Sequence, residues 1–401
     1  DENMGFLSKT LLPDGTEIPG TNFDYNYLQH RKVDVVSSAL DFILPFEKYK
    51  ITAGAKVSFT NTRNGINYDT SDPTLVQDDY FRYKEQIYAL YADYSREYSE
   101  RFSMQLGLRM EHTRTTGISE AKDTEDKHDY TRLFPTVYLL YSPTDGHALN
   151  FSFSNRISRP SQNMVNPFPF YQNKYTYACG REDLKPSYTY NAELGYTLKN
   201  NFNVSAYYSY SDDVFFQVVD LDAETNVTSF LWENFMQTHA FGLNNSYTFR
   251  TKWLQAYAQH GVSYRRTTSS AATTSPEEKG WAYDASLRNT FFFNEKKTLL
   301  ATLSGSYSSR QYQGIYLMSP TYSVSAGMLY RLLDNKLNLS LNVNNLFVSH
   351  SKLETMSNGL KIIADNQFSF TSFRIGVSYT FGGDIRSKGQ RNSNEDIQRR
   401  L

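Results

Sequence analysis

The feature that most constrains this chain is a period of two in its apolar residues. From Phe102, the residues Phe102, Met104, Leu106, Leu108 and Met110 stand at every second position, and Ser103, Gln105, Gly107, Arg109 and Glu111 fill the places between. The pattern returns at Tyr188, Tyr190, Ala192, Leu194, Tyr196 and Leu198, at Phe202, Val204, Ala206, Tyr208 and Tyr210, and at Leu337, Leu339, Leu341 and Val343. Successive side chains of a strand point to opposite faces, so each run is a strand with one apolar and one wet face. These runs exceed the roughly five or six residues usual for strands of a soluble sandwich.

The breaks between runs alternate in length. Short ones fall near Leu44 to Tyr49, Tyr98 to Arg101, Pro143 to His147, Lys199 to Asn201, Thr251 to Lys252, Asn294 to Lys297 and Asp334 to Lys336. Long ones fall near 65–79, 116–129, 160–186, 220–227, 269–279, 313–319 and 350–364. Tight periplasmic turns alternating with long outer loops are the signature of a membrane β-barrel. The fold class is therefore all-β, a transmembrane antiparallel up-and-down barrel. About fifteen strands are visible over 21–381, preceded by an extracellular loop at 1–20 and followed by a charged periplasmic tail at 382–401. Fifteen is odd, whereas single-chain bacterial barrels have even counts. Either residues 1–20 hold a poorly patterned sixteenth strand, or further strands lie upstream; Gly5 to Leu11 lack clean alternation, which favours the second.

Composition agrees. Hydrophobic residues are only 39% and mean hydropathy is -0.58, yet aromatics reach 15%, with 32 Tyr and 27 Phe. Barrels use such residues as girdles at both membrane interfaces. No stretch of about 18 apolar residues offers a helical span. The net charge of -1 supplies no basic field for nucleic acid. The single Cys179 permits neither an intrachain disulfide nor a Cys-based metal site, and a surface loop accounts for it. The acidic run Asp123 to Asp126 lacks the spacing and glycine of a calcium loop. His112 and His128 lie near acids, but no nucleophile elbow is present. Neither an enzyme, a metal nor a cofactor is expected.

After the sixth strand the chain reads SRPSQNMVNPFPFYQNKYTYACGREDLKPSYTYNAELGYTL, Ser158 to Leu198. This resembles the barrel of TonB-dependent outer-membrane receptors, particularly the Bacteroidetes branch, in which a strand ends in S-R-P and the next opens after G-N-P-x-L-K-P. Gly180, Leu184, Lys185 and Pro186 match, while Arg181, Glu182 and Asp183 depart from that pattern. At the far end Arg374, Gly376, Tyr379 and Phe381 resemble the terminal-strand signal read by the barrel-assembly machinery. The resemblance implies a twenty-two-stranded barrel of which this chain supplies the later part. It further implies a plug domain upstream or on a separate N-terminal chain, and a TonB energising complex acting through that part. The lipid bilayer surrounds the barrel, and a surface lipoprotein is a possible further partner. The expected function is energised uptake of a ligand. A plug-free passive porin, or a barrel anchoring a surface assembly, are the alternatives.

Such a receptor would bind its ligand on outer loops and the upper lumen wall. Phe168, Phe170, Tyr171, Tyr175 and Tyr177 could stack on a ligand ring, or pack on one another. Arg109, Glu111, Arg156, Glu193, Arg288 and Arg374 fall on inward parity, where they could hold a plug, line a solute path or pair across strands. The mixed-charge tail has no periodicity and could be held against a partner or the barrel rim.

Overall fold

The computed structural model describes residues 2–9, 11–18, 23–70, 78–222, 224–366 and 370–381. The tail at 382–401 lies outside the described residues. The elements are β1 (Glu2–Ser8), β2 (Phe23–Pro45), β3 (Tyr49–Thr70), β4 (Asp79–Ser99), β5 (Phe102–Ser119), β6 (Thr124–Tyr141), β7 (His147–Ser158), α1 (Gln162–Val165), β8 (Pro169–Asn173), β9 (Thr176–Cys179), β10 (Ser187–Leu198), β11 (Phe202–Asp222) and β12 (Val227–Arg250). They continue with β13 (Leu254–Ser269), β14 (Glu277–Phe292), β15 (Leu299–Ser308), β16 (Gln311–Gln313), β17 (Tyr316–Met318), β18 (Thr321–Leu332), β19 (Leu337–Val348), β20 (Ser351–Ser357), β21 (Leu360–Asn366) and β22 (Ser372–Tyr379).

Sixteen of these strands, β1 to β7, β10 to β15, β18, β19 and β22, pair antiparallel in chain order as one ladder. A strand must cross the bilayer with its backbone groups paired, and a continuous ladder supplies those pairs without help from solvent. Register carries the apolar rows from strand to strand: Leu106 lies opposite Val137 and Tyr94, Leu194 opposite Ala206 and Phe151, and Leu341 opposite Met328 and Ile375. On the other face Arg109 lies opposite Phe134 and Tyr91, and Arg288 opposite Tyr257 and Ser304. The short turns fall between β2 and β3, β4 and β5, β6 and β7, β10 and β11, β12 and β13, β14 and β15, and β18 and β19, as the breaks predict.

The long connections differ from the expectation of loops. A crossing needs about 9–11 residues, whereas β2, β3, β4, β11 and β12 run to 23, 22, 21, 21 and 24. The stretches near 116–129 and 220–227 are largely paired strand, with residues 120–123 and, among the described residues, 224–226 left between the strands. Beyond the bilayer neither face needs to be apolar, so the period of two fades while the ladder continues. The segment at 1–20, expected as loop, also contains a strand: β1 runs antiparallel to β2, with Glu2 opposite Gln29 and Ser8 opposite Phe23. Its poor alternation follows from its place, because it pairs only with the outermost part of β2.

Among the described residues no ladder joins β1 to β22. Phe373, Ile375 and Val377 are 73%, 80% and 70% exposed, against 45% for Leu341 on the neighbouring β19. Among the described residues β22 has a paired neighbour on one side only.

Leu106 stands on the lipid face near the middle of its crossing, whereas Gln105 faces the lumen. Leu106→Arg should cost about 2–4 kcal/mol of folding stability in bilayers, and Gln105→Arg should cost little. Urea titration of vesicle-inserted protein, read by heat-modifiable electrophoresis, checks the contrast.

Candidate functional site, an inward-folded segment on the outer lumen wall

The connection from β7 to β10 folds onto the polar face of the barrel wall. Lumen parity on the outer halves of β2 to β5 carries Tyr25, Tyr27, Thr60, Thr62, Asn64, Ile66, Phe81, Glu85, Glu111, Thr113 and Thr115, all buried. What buries the apolar members is the segment itself: Val165, Phe168 and Leu184 form one core with Tyr25, Tyr27, Ile66 and Phe81. Phe168 meets Phe81 edge-on at 6.4 Å, Phe170 meets Tyr27 at 5.7 Å, and Tyr171 lies 5.3 Å from both Tyr25 and Tyr177. Such pairs add about 0.5–1.5 kcal/mol each beyond the area they bury. The phenols of Tyr25 and Tyr68 both donate to the Pro169 carbonyl, at 3.0 and 3.3 Å, and anchor the start of β8 to β2 and β3.

The far side of the segment is tied to β11 and β12. β9 runs parallel to β12, with Thr176 opposite Thr228 and Cys179 opposite Leu231. Arg181 pairs with Asp183 and, at 2.8 Å, with Glu233. The Lys185 N–H donates to the Asn234 side-chain oxygen at 2.8 Å, and the Asn234 amide donates to the Lys185 carbonyl at 2.9 Å. Gly180 lies where the chain doubles back. A Cβ there would sit 2.2 Å from the Asn166 carbonyl oxygen, so only glycine allows the approach that brings the Arg181 N–H to the Met164 carbonyl at 2.8 Å.

At the root of the segment stands Arg159, with 10% of its side chain exposed. Its guanidinium pairs with Glu111, donates to the Thr113 hydroxyl at 3.3 Å and lies 3.8 Å from Glu85. The carboxylates are 8% and 5% exposed, and Arg109 pairs with the other oxygen of Glu111. Burial is the largest single influence and would lower the Arg159 pKa, but Glu111, Tyr130 and Glu85 together outweigh it and hold the guanidinium above its ordinary value. Two acids and two arginines thus neutralise one another in a water-poor pocket. Removing one member of such a set is worse than never having built it.

The sequence-predicted residues are therefore divided. Phe168 is buried, Phe170, Tyr171 and Tyr177 are half-buried in the packed segment, and Tyr175 is 50% exposed at the tip of the β8–β9 hairpin. Arg109 and Glu111 meet in the Arg159 network, whereas Arg156, Glu193, Arg288 and Arg374 stand apart and exposed on the polar face. Arg109, Glu111 and Arg156 also line a recess with Tyr91, Asp93 and Thr136 below the segment. Glu85, Arg159 and the tyrosines of β2 and β3 escaped sequence reasoning. The S-R-P motif was the available signal for Arg159, but nothing local pairs it with carboxylates on other strands.

Cys179 is not at the surface. It is half-buried, its thiol donates to the Pro167 carbonyl at 3.0 Å, and burial pushes its pKa up. The thiolate is the reactive form, so a raised pKa leaves less of it at any pH below that value. Alkylation of native Cys179 should be slow and should rise with pH later than for a free thiol. Arg159→Met or Phe168→Ala should loosen the segment and speed alkylation severalfold or more, while Arg288→Gln should leave the rate unchanged.

A second outer body forms where two distant connections meet. β16 and β17 pair with each other, β17 pairs with β20, and β20 with β21, giving a four-stranded sheet seated on the outer ends of β11 and β12. Ile315 and Tyr316 pack with Val218, Val219, Phe235 and Met236, and the Tyr316 hydroxyl donates to the Gln217 carbonyl at 2.9 Å. No group of three or more metal-ligating side chains occurs among the described residues.

Solved structures of similar architecture are outer-membrane receptors and transporters. The copper transporter OprC overlays with a TM-score of 0.62 at 12% identity, over 90% of this chain and 61% of that one. The ferric yersiniabactin uptake receptor FyuA from Yersinia pestis gives 0.61 at 16%, over 90% and 56%. The ferripyoverdine receptor of Pseudomonas aeruginosa gives 0.56 at 15%, over 94% and 52%. The chain thus spans between half and two-thirds of the length of these structures. No curated protein sequence matches it. The model of the outer membrane protein beta-barrel family matches residues 1–379. The ladder, the lipid-facing rows and that match together show that this chain belongs to the outer membrane protein beta-barrel family and resides in the outer membrane of a Gram-negative bacterium.

Proposed function

We propose that this chain is the barrel portion of a TonB-dependent receptor of the Bacteroidetes type that takes up a ligand with energy supplied from the inner membrane. The observation that carries the reading is the segment at 160–186, which packs on the lumen wall instead of leaving the pore free. An ordered insert of this kind narrows and shapes the outer vestibule, as a receptor that captures its ligand above a gated channel requires. The overlay with uptake receptors over about nine-tenths of this chain supports the same reading. In it, Tyr175 and the exposed edges of Tyr171 and Tyr177 contribute to ligand capture. The lumen charges Arg156, Glu193, Arg288 and Arg374 meet a plug carried upstream or on a separate chain. Arg374, Gly376, Tyr379 and Phe381 serve as the terminal-strand assembly signal, and a surface lipoprotein is a further possible partner.

One observation favours the porin alternative: the ladder has sixteen strands, a number found in self-closed porins. The two readings separate by conductance and energy. In planar bilayers, the protein with its plug should conduct negligibly, and ligand uptake by cells should stop when the proton gradient is collapsed. Steady ohmic conductance together with gradient-independent uptake would sink the receptor reading and support the porin.

A further inference from the structure

The lipid-facing rows show where the membrane ends on the first four long strands. On β2 the outward row runs from Leu44 to Val36, apolar but for Ser38, on β3 from Ile51 to Phe59, on β4 from Tyr94 to Tyr88, and on β5 from Phe102 to Met110. These runs approach the 9–11 residues that a tilted crossing needs. The next outward position on each strand is polar: Asp34, Asn61, Gln86 and His112. The one after that is a cation on all four: Lys32, Arg63, Lys84 and Arg114. Arg82 follows on β4. At about 3.3 Å of rise and a tilt near 45°, four residues lift this band roughly 10 Å beyond the apolar edge. Lysine and arginine side chains can bend several ångströms back toward it.

The band is not neutralised as a solvated rim would be. Lys32 lies directly opposite Arg63, and Arg63 directly opposite Arg82, so three cations stand abreast in one register row. Like charges placed directly opposite oppose sheet formation. Two carboxylates answer five cations: Asp34 pairs with Arg63, and Asp129 with Arg114 at 2.8 Å. Among the described residues Lys32, Arg82 and Lys84 form no ion pair. The strands β13 and β14 do otherwise. There the outward cations just beyond the apolar rows are Arg266 and Lys279, and both pair with Glu277.

We propose that Lys32, Arg63, Arg82, Lys84 and Arg114 form a binding surface for the phosphorylated headgroups of outer-leaflet lipid. A multiply charged headgroup at this height replaces the missing carboxylates, while its acyl chains lie along the apolar rows below. The position of the band, facing the bilayer and not the lumen, selects lipid over a soluble anion.

The test uses the full protein extracted from its outer membrane in neutral detergent, titrated with diphosphorylated lipid A, with the same lipid after enzymatic dephosphorylation, and with inorganic phosphate. Each cation near an anionic surface contributes about fivefold in affinity. Lys32→Gln/Arg82→Gln/Lys84→Gln should therefore weaken lipid A binding on the order of tenfold or more, with circular dichroism unchanged. Arg266→Gln/Lys279→Gln, on the neutralised sector, should leave binding as it was. Raising salt should weaken binding to the native protein. Equal binding of phosphorylated and dephosphorylated lipid, or an unaltered affinity in the triple variant, would overturn the proposal. Inorganic phosphate that competes at micromolar concentration would assign the band to a soluble anion instead, and overturn it as a lipid surface.

Discussion

Everything in this molecule depends on the demand that a backbone inside hydrocarbon satisfy its own hydrogen bonds. Sixteen strands meet that demand by pairing each with the next, and the side chains are then free to answer a different question on each face. Outward they meet lipid, so Leu106, Leu194, Leu243, Leu303 and Leu341 are exposed without penalty. Inward they meet water or protein, so polar residues need not be excluded. The low hydropathy of the chain follows directly, because only half of each crossing has to be apolar.

The same demand does not reach above the bilayer, and there the structure is held by other means. The long strands keep their ladders into the outer region, and two bodies fold against them. One is the segment at 160–186, clamped at its root by Arg159 and on its face by the tyrosines of β2 and β3. The other is the small sheet of β16, β17, β20 and β21. The clamp is electrostatic and buried, the seat of the sheet is mainly apolar, and the two bodies rest on different parts of the wall, sharing β11 and β12 as a border. Trp232 marks that border, packed against Phe215 and Phe216.

How much of this was legible in the sequence follows from where the signal resides. Crossings were readable because lipid enforces alternation: the row from Phe102 to Met110 is as regular on the page as in the ladder. Turns were readable because they are short and interrupt that alternation. The outer extensions of β5, β6, β11 and β12 were not, since neither face there must be apolar and the pattern dissolves while the pairing persists. The β20–β21 hairpin carried an unused local signal: Asn358 and Gly359 both adopt positive φ, 49° and 78°, as a tight two-residue hairpin turn requires. The aromatic segment was found by composition, but its docking was not, because Glu85 and Glu111 lie 74 and 48 residues before Arg159. A contact of that reach leaves no trace in local spacing.

The small outer sheet has a mechanical consequence. Its two halves come from connections that leave the barrel at different places, β16 with β17 between β15 and β18, and β20 with β21 between β19 and β22. They are joined by the ladder pairs Leu317 with Glu354 and Met318 with Leu353, by the Ser319 N–H on the Lys352 carbonyl and the Lys352 N–H on the Ser319 hydroxyl, both at 2.9 Å, and by the ion pair of Arg310 with Glu354 at 3.3 Å. The seam therefore couples two connections that are far apart along the chain: neither hairpin can swing from the wall without drawing on the other, so this stretch of the outer rim acts as one plate and not as two separate loops.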